Sequence, residues 1–232
     1  MSSRDPELRS SPPLLDESTG DSAEAKVALT ARGVRTRLRL VEAARSLFET
    51  QGYFTTNVND ISAEAGVAYG TFYIYFSSKE DVFGEVVKEL HQQFRAIAAA
   101  EPHVGADPAS HIERANRGFL RAYQQTASMQ RVLEQASTIN PQQEKERREA
   151  NLYWRERARK AIVDWQFDGV VDRDIDAFYA ANALGAMVDR YAYLWFVLGQ
   201  EHDFDEAVEQ LTHLYCNALG IRHAITPRSD RV

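Results

Sequence analysis

Cysteine is almost absent: Cys216 is the only one in 232 residues. It cannot form an internal disulfide, so nothing argues for an oxidising compartment. Long apolar runs are missing too. No segment approaches the roughly 18–20 uncharged apolar residues of a membrane span. The opening MSSRDPELRSSPPLLDESTGDSAEAKVALT holds no apolar stretch of the kind a signal peptide needs. The cytoplasm is the expected location. Signatures of the common enzyme classes are also missing, namely GxGxxG, the phosphate-cradling GxxxxGK[ST] and the GxSxG elbow. A helical di-iron site would need Glu-x-x-His. The residues three before His91, His103, His111, His202, His213 and His223 are Lys, Ala, Pro, Gly, Gln and Gly. No catalytic residue, metal or cofactor is expected.

What the chain does contain is an ordinary supply of core-forming residues, 44% hydrophobic, beside 26% charged. The net charge of −7 is unevenly spread. Between Lys26 and Val41 stand Lys26, Arg32, Arg35, Arg37 and Arg39 with no acid among them, whereas acids dominate from Asp164 to Glu209. A basic end suits contact with a polyanion, and the acidic end calls for a different task.

Apolar spacing organises the chain as all-α. Residues 1–28, rich in Ser, Pro and Asp, read as a disordered extension. Val34, Leu38, Val41, Ala44 and Phe48 mark an amphipathic helix from about 31 to 51. A short helix follows in 56-TNVNDISAEAG-66, with Asn57 as cap and Gly66 as stop. The stretch 66-GVAYGTFYIYF-76 alternates aromatic and β-branched residues as a strand would. A lone strand between helices would have no ladder partner, so a helix is expected here, with Phe72 and Phe76 stacked at i, i+4 as a small core. Ser77 and Glu80 form a candidate capping box for a long connecting helix over 79–101. The loop 102–108 is the expected domain boundary. Beyond it, spacing predicts helices at 109–126, 128–139, 141–167, 173–199 and 204–220, then a tail at 223–232. This divides the chain into an N-terminal unit (29–78), the connecting helix and a larger helical unit (102–222).

Two short helices joined through Ala65-Gly66-Val67 have the spacing of a helix-turn-helix. The segment 48-FETQGYFTTNVNDISAEAGVAYGTFYIYFSSKEDVF-83 resembles the TetR (tetracycline-repressor-like) one-component regulators. The resemblance covers about Arg35 to Leu90. It implies a DNA-binding N-terminal domain and a C-terminal domain for ligand binding and dimerisation. It also implies phosphate contacts from Thr56, Tyr73, Tyr75 and Lys79. Tyr69, Gly70 and Thr71 would lie at the end of the recognition helix that reaches base edges. Asn57 replaces a common threonine, and Ala68-Tyr69 replaces a frequent polar or basic pair, which alters what the helix reads. Arg35 and Arg37 are candidates for gripping phosphates or the adjacent minor groove.

One helix-turn-helix buries little DNA, so a homodimer on double-stranded operator DNA is expected. The nearly all-apolar 176–199 and the segment 204–220 are the expected interface, through Ala183, Gly185, Tyr191, Leu194, Leu211, Leu214 and Tyr215. A mostly hydrophobic effector would lie among Phe119, Tyr123, Met129, Leu133, Tyr153, Trp154, Trp165, Phe178, Asn182 and Met187, with Asn151 and Asn182 orienting it. The competing class is a helical adaptor that binds no DNA. Affinity for DNA that falls steeply with salt separates the two.

Overall fold

The computed structural model describes residues 31–100, 107–138 and 141–222, and these form eight helices and no strand. The expected N-terminal extension and C-terminal tail lie outside the described residues, as does most of the 102–108 boundary loop.

Helix α1 (Ala31–Gln51) buries Leu40, Val41, Ala43, Ala44, Leu47 and Phe48. Val34 and Leu38, expected on the same face, are exposed. Asn57 caps α2 (Val58–Glu64) as its spacing predicts, its side-chain oxygen accepting from the Asp60 N–H at 3.1 Å. The disputed aromatic stretch is helical, α3 (Tyr69–Tyr75). Burial of Phe72 and Phe76 against α1 and α4 overrides the local strand preference. The cap of α4 (Lys79–Ala99) sits one residue later than expected: Ser78 accepts from the Asp81 N–H, and the Asp81 carboxylate accepts from the Ser77 N–H.

The two helices expected at 109–126 and 128–139 are one, α5 (Pro108–Ser137). Neither glycine nor proline interrupts it near residue 127, and Thr126 returns its hydroxyl to Ala122 O at 2.7 Å instead of ending the helix. Continuity has a structural consequence. Met129, Val132, Leu133 and Ala136 at the far end of α5 are buried in the same core as Phe48, Phe72 and Phe83. Ile112, Leu120 and Tyr123 at its near end belong to a second core, with Ile162 of α6 (Pro141–Phe167), Val188 of α7 (Ala177–Phe196) and Val208 and Cys216 of α8 (Phe204–Ala218). Helix α7 starts and ends a few residues inside its expected range. Asp176 caps it by accepting from the Phe178 and Tyr179 N–H groups. The Asp203–Glu206 cap of α8 forms as expected.

Candidate nucleic-acid interface and effector cavity

The turn between α2 and α3 is held from α1. The Arg39 guanidinium donates to the carbonyls of Ala65 and Gly66. Gly66 has φ +62°, a left-handed conformation that other residues adopt only at a cost. Phe72 and Phe76 pin the inner face of α3 in the core, and Tyr75 packs half-buried against it. What remains outward is Tyr69, Gly70, Tyr73 and Ile74, the last 73% exposed. The Tyr69 and Tyr73 hydroxyls lie 2.9 Å apart, one turn from each other. That hydrogen bond raises the pKa of Tyr73, so it stays a neutral hydroxyl at ordinary pH. Nothing lies within 4 Å of where a Cβ on Gly70 would point, which leaves room for another molecule's backbone or base edge.

Ala68 is exposed in extended backbone before α3, Thr71 is half-buried, and Arg35 is exposed on α1. Other candidates turn inward. Thr56 is buried, and its hydroxyl donates to Gly52 O at 2.9 Å. Lys79 donates to Tyr53 O at 2.9 Å and Thr56 O at 3.1 Å, with its ammonium over the Tyr53 ring. Arg37 pairs with Glu85 at 2.7 Å across to α4 and lies over Phe76. That pairing holds the Glu85 carboxyl below its usual range. Asn57 spends its side chain on the α2 cap. Of these, Arg37 ties α1 to α4 and Lys79 ties α4 to the α1–α2 connection, Thr56 and Asn57 bond locally, and the outward polar face of α3 is that of Tyr69 and Tyr73. Helical spacing places Ile74 away from the core beside Tyr73, as found, but it was not among the DNA-contact candidates.

At the other end, α4, α5, α6 and α7 enclose a cavity of about 1010 Å³. Of the effector candidates, Phe119, Tyr153, Trp154 and Trp165 line it, and so does Asn151. Tyr123 and Leu133 line an adjoining recess that shares Phe119, Trp154 and Asp189 with it. Four candidates lie elsewhere. Met129 is buried in the core of the DNA-binding unit, because α5 runs on into it. Phe178 is exposed, and Asn182 is spent on a hydrogen bond to Phe178 O at 2.8 Å. Met187 faces a groove between α7 and α8. The cavity also has polar walls that aromatic counting did not reveal. Asn116 is buried and donates to the Thr212 hydroxyl at 3.2 Å, and burial raises the pKa of Asp189 against the opposing pull of Arg147.

The α7–α8 groove, about 350 Å³, is lined by Tyr191, Leu194, Leu211 and Leu214 together with Met187. Ala183 and Leu214 are exposed beside it. Gly185 and Tyr215, expected at an interface, line the large cavity, and Tyr215 and Leu211 are buried within the chain. Burial pushes the Tyr215 hydroxyl up to about 12.

A short helix held by a glycine turn beneath a second helix with an outward tyrosine face defines a helix-turn-helix module. Residues 40–86 match the family model for bacterial regulatory proteins of the tetR family. The chain is 35% identical over 69 residues to the HTH-type transcriptional regulator YdgC of Bacillus subtilis, a match covering 30% of this chain and 35% of that protein. It therefore spans about a third of the length of that curated relative. A longer match, 25% identical over 199 residues, covers 82% of this chain and 94% of the HTH-type transcriptional regulator TtgR of Pseudomonas putida. A solved transcriptional regulator from Rhodococcus sp. Rha1 shares the fold, with a TM-score of 0.66, 19% identity and coverage of 81% of this chain and 99% of that one. Residues 40–86 thus carry the tetR-family module, and the fold is the one shared by solved TetR-family regulators. Among the described residues no helix is long and apolar enough to cross a membrane.

Proposed function

We propose that the protein is a ligand-responsive transcriptional repressor: a homodimer on a near-palindromic operator, released by a small, mostly hydrophobic molecule. The observation that carries this reading is the joining of the outward tyrosine face of α3 to a cavity of about 1010 Å³ through two helices, α4 and α5, that belong to both cores. In the dimer the α7–α8 faces of two copies cover each other, which accounts for an α7 so apolar and yet so partially buried. The two recognition helices then sit about 34–36 Å apart, one turn of DNA. Tyr73 donates to a phosphate, while Tyr69, Gly70 and Ile74 meet base edges and thymine methyls.

Release requires the effector to prefer a conformation in which that spacing is wrong. A hundredfold loss of operator affinity needs about 2.7 kcal/mol of coupling. The test is selection of bound duplexes from a random DNA library by the full chain. A two-fold symmetric sequence is expected, bound with an affinity that falls steeply with added salt and further weakened by Tyr73→Phe. Recovery of no enriched sequence, or binding indifferent to salt, would refute the reading.

A further inference from the structure

The walls of the cavity carry charge of one sign in excess. Arg95 on α4, Arg114 on α5, and Arg155, Arg157 and Lys160 on α6 line it, against the carboxyls of Asp164 and Asp189. Burial pushes the Asp189 carboxyl upward and so weakens it as a counter-charge. Several basic side chains elsewhere on these helices are paired: Arg117 with Glu113 and Asp205, Arg147 with Glu134, and Arg159 with Glu156. None of the five cavity cations has a carboxylate within ion-pair distance among the described residues. Their contacts are aromatic or neutral instead. The Arg95 and Arg157 guanidinium groups lie 5.7 and 5.8 Å from the Tyr153 ring centre, Arg157 also donates to the Tyr153 hydroxyl, and Arg114 lies 3.5 Å from the His111 ring nitrogen.

The same cavity is apolar deeper in. Ile112 and Val188 are buried in its wall, and Phe119, Trp154 and Trp165 are half-buried there. Its exposed lining residues on α6 are Tyr153, Arg157, Lys160 and Asp164, and with exposed alanines of α4, α5 and α7 they border its opening. Its volume stands at the upper end of the roughly 300–1,000 Å³ usual for small-molecule sites. An apolar hollow with an unneutralised basic mouth suits a molecule of two parts. A wholly neutral ligand leaves the excess of cations over Asp164 and Asp189 uncompensated, and a cationic one is repelled by that excess.

We infer that the cavity takes an amphipathic anion: an aliphatic or ring-bearing apolar body among Phe119, Trp154 and Trp165, and a carboxylate or phosphate head held at the mouth by Arg155, Arg157 and Lys160. This rests on the cavity being the effector site and adds the chemical class of the effector. Guanidinium groups are suited to both head groups because their fork matches two oxygens at once.

The test uses three probes with one chain and different heads, hexadecanoate, hexadecyl phosphate and hexadecanol, each below its aggregation threshold. Binding to the full chain is read from tryptophan fluorescence, since Trp154 and Trp165 line the cavity. At least one acidic probe is expected to bind tenfold or more tightly than the alcohol, and the better of the two identifies the head. Arg157→Gln with Lys160→Gln removes that advantage while the alcohol binds as before. Arg155→Met repeats the result if the first variant folds poorly. Hexadecanol binding as well as both acids, or no probe binding, overturns the inference. The two readings fail separately. A neutral molecule that releases operator DNA leaves the effector site standing and removes the anion. Acidic probes that fill the cavity without changing operator affinity keep the anion and remove the regulatory role.

Discussion

The two ends of the molecule are built to opposite rules. At the DNA-binding end short helices close over a core without space, and Leu40, Phe48, Ile61, Phe72 and Phe83 are wholly buried. At the other end longer helices stand around a hollow of about 1010 Å³ whose aromatic walls are half-exposed. A reading head must hold Tyr69 and Tyr73 in one geometry, and dense packing of Phe72 beneath them does so. The proposed binding of a small molecule needs space, and the core at this end is left unfilled. Helix α5 spans both regimes, with Phe119 at the hollow and Met129 in the dense core. A shift at one end is therefore felt at the other, because close-packed interiors transmit displacement.

The largest effect expected from this contrast lies in paired truncations. Phe72→Ala removes a ring from a filled core and should cost about 3–5 kcal/mol. Trp154→Ala removes a larger ring from a wall that already faces a void and should cost only about 1–2 kcal/mol, while abolishing ligand binding. Urea unfolding of the two variants measures the difference. Equal losses would mean that the hollow is filled by collapse in solution and the contrast is false.

Legibility in the sequence followed the same divide. The α2–turn–α3 segment was readable because its constraints are local: the Asn57 cap, the glycine turn and the i, i+4 pair of Phe72 and Phe76 act within a few residues. Which polar side chains reach outward was not readable, since Thr56 and Lys79 are claimed by carbonyls of the α1–α2 connection, Gly52 O and Tyr53 O, and Arg37 by Glu85 on α4. The effector region has no local signature, so aromatic residues on α5 to α7 were candidates of equal standing. Phe119 and Trp154 proved to line the cavity, while Met129 and Phe178 did not, and only the crossing of α5 with its neighbours separates them. The join of α5 near Thr126 was missed because polar residues there look like a linker until burial is known.

A mid-sized effect tests the transmission between the ends. Helices α4 and α5 cross at Gly118, where an added Cβ would stand 2.4 Å from Ala98 O. Gly118→Ala must push α4 and α5 apart, and overpacking of this kind costs about 1–3 kcal/mol. Because α4 carries the DNA-binding unit, operator affinity should fall along with stability. Gly84, also on α4, is the control, with nothing within 4 Å of its added Cβ. Gly84→Ala should raise stability by about 0.5–1 kcal/mol through helix propensity and leave DNA affinity as it was. Melting temperatures that move in the same direction for both variants would show that the crossing is slack.

The smallest effect concerns the hollow alone and has a sign fixed by titration. Burial raises the Asp189 carboxyl above the ordinary value of about 3.9, an effect only partly offset by Arg147, Arg155 and Arg190. A group that binds its proton more tightly when folded favours the folded state at low pH. That contribution is fully present below the unfolded pKa and is lost as pH rises through the folded one. Asp189→Asn removes the titration while keeping the shape. The variant should match the parent's melting temperature, up to a constant offset, below about pH 4, and gain on it as pH rises toward neutrality. A gap that stays flat from pH 4 to 7 would show that the Asp189 carboxyl is solvated or fully neutralised by its arginines. The same series run with an acidic ligand bound sharpens the point. A bound anion disfavours the ionised carboxylate further, so the gap between variant and parent should widen when the cavity is occupied.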